Sequence, residues 1–103
     1  MSKQFGDKIK ELREKRKLFL RQVAAQLDMD TAQLSKIEKG TRQLKREQLS
    51  PLANILLADL NELQTLWLAD QLLDLVKDEP NADEALKSVS KKIKKLNNYG
   101  TTN

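Results

Sequence analysis

The stretch LDMDTAQLSKIEKG, Leu27 to Gly40, decides the fold. It closes one helically spaced apolar segment at Leu27, passes through Asp28, Met29 and Asp30, and enters a second helical pattern at Thr31 that stops at Gly40. Asp28 stands in the turn, and Asp tolerates a left-handed backbone better than most residues. Asp30 takes the N-cap position, where a carboxylate accepts a bond from a free first-turn N–H. Gly40 ends the pattern, because glycine enters the left-handed region without a Cβ penalty. Two short helices are expected, at about 20–27 and 31–39. Val23, Ala24 and Leu27 of the first and Leu34 and Ile37 of the second clamp the pair, each large side chain contributing roughly 1.5–3 kcal/mol on burial. Thr31, Ala32, Gln33, Ser35 and Lys36 are then left on the outer faces of the second helix.

Moving outward, the helical pattern continues in both directions. Phe5, Ile9, Leu12 and Arg16 form one stripe of a first helix at about 3–16. The loop TRQLKR, Thr41 to Arg46, leads to a helix at about 47–57 with Pro51 near its start, where a missing N–H does least harm. In ADLNELQTLWLADQLLDLVKDE, Asp59 and Glu62 have capping-box spacing, and Leu60, Leu63, Leu66, Trp67, Leu72, Leu73 and Val76 follow over about five turns. Pro80 ends that helix. Asn81 and Glu84 repeat the capping-box spacing before a last helix at about 82–97, whose Ala82, Leu86, Val89, Ile93 and Leu96 alternate steps of four and three, a narrow coiled-coil-like seam. No run of strand length alternates apolar and polar residues, so the expected fold class is all-α.

Composition bounds the chemistry. The 103 residues contain no Cys and no His, which removes the thiol nucleophile, the usual general base near neutral pH and the two commonest soft metal ligands. No catalytic residue, metal or cofactor is expected, and an enzyme is not. There is no signal-type apolar run and no long uncharged apolar stretch, so the expectation is a cytoplasmic protein without a membrane segment. The net charge of +4 hides a segregation: residues 1–46 carry thirteen Lys and Arg against six Asp and Glu, residues 47–86 one against nine, and residues 87–103 five against none. A basic front is suited to phosphate backbones.

Residues 5–57 resemble the DNA-binding domain of Cro and phage-repressor type, the XRE family of helix-turn-helix regulators. The match lies in the IKELREKR run and in QVAAQLDMDTAQLSKIEKGTR, where Ala24, Leu27, Leu34, Ser35, Ile37, Glu38 and Gly40 fall at the family's positions. The resemblance implies that helix 31–39 lies in the major groove of double-stranded DNA, with Thr31, Ala32 and Lys36 nearest the base edges and Gln33 and Ser35 beside them. It further implies backbone contacts from Arg21 and Gln22, at the positive end of the preceding helix, and from Lys39, Thr41, Arg42, Lys45 and Arg46 in the following loop. Arg13 and Glu38 match a family pair joining the first helix to the end of the third. Two departures stand out: Phe19 and Leu20 replace the usual polar cap and phosphate-binding Gln, and Asp28 replaces the turn glycine.

Regulators of this type resemble one another in binding near-palindromic sites as dimers. Between Leu60 and Val76 the apolar residues cover more than one stripe, too wide for packing on one small domain, so Leu63, Leu66, Trp67, Leu68, Leu72, Leu73 and Val76 are expected at a homodimer interface. The organisation expected is a helix-turn-helix domain of four to five helices over 1–58, a helical dimerisation extension over 59–97 and a disordered tail over 98–103. The run KSVSKKIKKL places Lys91, Lys92, Lys94 and Lys95 either near flanking DNA or in solvent beside the helix dipole, and the solvated reading is favoured. The leading function is a sequence-specific transcriptional regulator; small regulators it resembles include controller proteins of restriction-modification operons, phage repressors and antitoxin-type autoregulators, and the all-helical extension favours the controller type. The alternative is an antitoxin whose acidic second half binds a protein partner while the first half autoregulates.

Overall fold

The computed structural model describes residues 3–101, the last three by backbone alone. Among these residues the fold is all-helical, with α1 (Gln4–Lys15), α2 (Leu20–Gln26), α3 (Thr31–Glu38), a 3-10 turn (Arg46–Gln48), α4 (Leu49–Leu56), α5 (Leu60–Val76) and α6 (Ala82–Thr101). Helix α1 packs on α3, α4 and α5, α2 packs on α3 and α4, and α4 packs on α5. The core joins Ile9, Val23, Leu34, Ile37, Leu49, Leu52 and Leu63 with Leu44 from the loop after α3.

Four helices end in the same way. Lys17, Asp28, Gly40 and Leu57 are left-handed, at φ of 57°, 55°, 81° and 53°. In each case the next N–H reaches back five residues: Leu18 to Arg13 (3.1 Å), Met29 to Ala24 (3.0 Å), Thr41 to Lys36 (3.0 Å) and Ala58 to Ala53 (2.8 Å). This Schellman geometry satisfies carbonyls the helix end would leave open, and Leu18, Met29 and Ala58 pack against the core as its apolar partners. Asp28 therefore does tolerate the turn expected of it.

Several local expectations change. Asp30 sits at the N-cap of α3 with extended backbone, but its side chain makes no capping bond. The exposed carboxylate marks the helix start without closing on it. Asp59 does cap α5, accepting from the Asn61 N–H at 3.0 Å, while Glu62 pairs with Lys8 at 3.1 Å across to α1. The buried row of α1 runs Phe5, Ile9, Arg13 instead of ending on Arg16, because steps of four keep to one face and Glu38 neutralises the arginine there. Arg16 is exposed and donates to the Ile55 carbonyl. The stretch before α4 winds as 3-10 where α-helix was expected, since Pro51 has no N–H to close a turn onto Glu47. Helix α6 continues to Thr101 where a frayed end was expected after 97: no proline interrupts it and Gly100 alone weakens it. Residues 102 and 103 lie outside the described residues.

Leu63 is 0% exposed and Trp67 7%, both inside the core of their own chain. They cannot form the shared surface expected of them, because α5 turns that face toward α1 and α4. Leu66 is half-buried against the same core. From Leu68 onward the opposite side of α5 is uncovered, with Leu68, Leu72 and Leu75 exposed there and Leu73 exposed on its flank. In α6 every residue from Asp83 to Asn98 is exposed. The helix stands off the rest, and the radius of gyration of 16.0 Å exceeds the roughly 13 Å of a compact chain this long.

Candidate nucleic-acid interface

Helix α3 is held from behind. Leu34 and Ile37 are buried against α1 and α2, and Ala24, 1% exposed, keeps α2 close. The approach of α1 is closer still: a Cβ on Gly6 would lie 2.3 Å from the Glu38 carbonyl oxygen and 2.7 Å from that of Ile37. Only glycine lets the two backbones meet there. An interior helical glycine, which costs about 1 kcal/mol against alanine, was the available signal for this approach, and it went unread.

The ion pair locks the same junction. Arg13 Nε donates to Glu38 Oε2 at 2.7 Å and Nη2 to Oε1 at 3.1 Å, a bidentate fork, while Nη1 donates to the Leu18 carbonyl at 2.8 Å. The hydrogen bond to Glu38 raises the Arg13 pKa against the opposing effect of burial, so the guanidinium stays charged. Both side chains are buried, and the geometry fixes α3 in rotation relative to α1.

With that face fixed, Thr31, Ala32 and Lys36 are exposed, and Gln33 and Ser35 are half-buried beside them. All five belong to one helix, so the structure brings them together. Arg21 and Gln22 are exposed in the first turn of α2. Gln22 Oε1 accepts from the Phe19 N–H at 2.7 Å, the reciprocal half of a capping box, and leaves the amide N–H2 to donate elsewhere. The Arg21 guanidinium lies 4.7 Å from the Phe19 ring centroid. The N-cap side chain itself makes no capping bond.

The loop residues spread apart. Lys39, Thr41, Arg42, Lys45 and Arg46 are all exposed, but buried Leu44 anchors the loop, and its carbonyl accepts from Trp67 Nε1 at 2.7 Å. Thr41 Oγ1 donates back to the Lys36 carbonyl at 3.2 Å. Arg42 lines a cleft of about 250 Å³ with Asp70, Gln71 and Asp74 of α5. Arg46 stacks 4.9 Å from the Trp67 ring, on α5. Asp70, unremarked in the sequence, accepts from the Phe5 N–H at 2.9 Å and from Gln4 Nε2 at 3.1 Å, capping α1 from 65 residues away. No local pattern reveals such a cap.

Among the described residues no group of three or more His, Cys, Asp or Glu is placed to hold a metal, and no helix is long and apolar enough to cross a membrane. A buried helical pair with its second member's outer face open is the arrangement of a helix-turn-helix. A family model described as a helix-turn-helix domain matches residues 4–66. The chain belongs to the helix-turn-helix domain family, and that membership supports a DNA-binding regulator. No curated protein and no solved structure gives a match.

Proposed function

We propose that this chain is a sequence-specific transcriptional regulator of XRE type that acts in the cytoplasm as a homodimer on a near-palindromic operator. The observation that carries this reading is the face of α3: Leu34, Ile37 and Glu38 are buried while Thr31, Ala32 and Lys36 are exposed on one short, rigidly held helix. Laid in a major groove, Lys36 donates to guanine O6 or N7, Gln33 pairs with adenine, and the Ala32 methyl packs on a thymine methyl. Arg21, Gln22, Lys39, Thr41, Arg42, Lys45 and Arg46 position the domain on phosphates, with Arg46 also stacked on the Trp67 ring. Two copies read half-sites about one helical turn, roughly 34 Å, apart. Control through dimer concentration on a short operator suits the controller type of restriction-modification operons.

Selection from random duplex DNA followed by a salt titration tests the reading. The expected result is a two-fold motif whose affinity falls steeply with salt, as phosphate neutralisation in two subunits requires. Recovery of no motif overturns it.

A further inference from the structure

Two apolar surfaces of this chain are left without a partner. One is the outer side of α5, Leu68, Leu72 and Leu75; the other is the seam of α6, Leu86, Val89, Ile93 and Leu96. Their exposures run from 37% at Leu86 to 76% at Leu75. They run about 11 and 15 Å along their helices at 1.5 Å per residue, so the α5 face spans most of the α6 seam. With full areas of roughly 150–180 Å² per residue, the seven expose on the order of 600 Å² per chain, about three-quarters of the ~800 Å² per partner of a stable interface.

The link between the helices prevents the simplest solution. Between α5 and α6 there is no glycine, Pro80 is rigid, and backbone bonds from Glu79 N to Val76 O (2.9 Å) and from Ala82 N to Glu79 O (3.2 Å) set consecutive turns that send α6 away from α5. With those turns in place α6 does not pack along its own α5. Pairing α6 with another α6 is opposed by charge, because Lys87, Lys91, Lys92, Lys94 and Lys95 are its only ionic groups after Glu84. Helix α5 brings no such repulsion: it contains no Lys or Arg, and its own charged residues are Glu62, Asp70 and Asp74.

We propose that α6 of each chain packs its Leu86–Leu96 seam on the outer face of α5 of a second copy, giving a homodimer by reciprocal exchange of the last helix. This rests on the homodimer proposed above and assigns its interface. Leu63 and Trp67 take no part, and the DNA-reading α3 lies outside the exchanged surface.

The chain has no native cysteine, so single cysteines report cleanly. Full-length Leu72→Cys and Ile93→Cys variants, both at exposed positions that leave the core intact, are treated with a short bismaleimide alone and as a mixture. The expected result is a covalent dimer from the mixture and from neither variant alone. Self-cross-linking of Ile93→Cys means that α6 pairs with α6 and overturns the exchange. A doubly substituted chain that closes on itself at monomer mass, with no cross-link in the mixture, overturns it in favour of a hairpin. Light scattering separates the two claims: a dimer with internal cross-links keeps the homodimer and loses the exchange, whereas a monomer loses both. A monomer that sediments with phosphatidylserine vesicles assigns the basic amphipathic α6 to an anionic membrane instead. DNA selection reports on α3 whichever of these is found.

Discussion

Residues 4–67 and residues 68–98 use the same ingredients to opposite effect. In the first region every large apolar helix face meets another, the buried arginine has its carboxylate, and no buried side-chain N or O among the described residues lacks a partner. In the second, leucines, a valine and an isoleucine lie in solvent beside lysines. Both regions are strongly helical by pattern, so helix formation does not separate them. What separates them is closure: the first builds a core from short helices that cross, whereas the second consists of a helix end and a helix that point apart.

The sharpest way to break the first region is at the Arg13–Glu38 fork. Arg13→Ala leaves a buried carboxylate without its cation, with an expected loss of about 3–5 kcal/mol in urea unfolding. A loss below about 1 kcal/mol means that water reaches Glu38 and the junction is not closed.

The second region should respond without affecting the first. Leu72→Asp together with Ile93→Asp is expected to weaken the dimer by about 2 kcal/mol or more, some thirtyfold in dissociation constant, while dilute monomer keeps its helix-turn-helix unfolding transition. Sedimentation equilibrium and circular dichroism check the two halves of that expectation. Next come the open-face residues of the first region. Lys36→Ala or Thr31→Ala should cost roughly 1–3 kcal/mol at particular base pairs and leave stability unchanged, whereas Lys39→Ala should weaken all sequences alike and lower the salt slope by about 1. Binding to a panel of single-base operator variants distinguishes these outcomes.

The smallest effects compare two aspartates at equivalent positions. Asp59→Ala removes a formed N-cap and should cost about 1 kcal/mol, whereas Asp30→Ala removes a side chain with no capping bond and should cost less than about 0.5 kcal/mol. Equal losses in thermal unfolding would show that Asp30 caps α3 in solution.

Much of the first region is legible before folding. Helix limits around Leu27 to Gly40, the left-handed Asp28 and Gly40, and the inward Val23, Leu27, Leu34 and Ile37 follow from turn chemistry and helical period, which act over a few residues. The open face of α3 follows by subtraction. Three features were not legible: Asp70 capping α1, Leu44 accepting from Trp67, and Gly6 against Glu38. Each joins residues more than twenty positions apart, and no local pattern encodes such a meeting. Of the α5 residues expected at an interface, Leu63 and Trp67 are in the chain's own core, because α5 is apolar on two sides and period alone does not say which side faces inward.

The sequence by itself thus determined that the chain is helical, where its helices stop, and that a turn between Leu27 and Thr31 sets two short helices against each other, because these depend on backbone preference and spacing. Tertiary structure decided which of α5's two apolar sides became core, where the loop cations went, and how Arg13 and Glu38 fix the angle of α3. The reason is one of range: a helical period specifies faces, and only packing among all the helices chooses which face is buried.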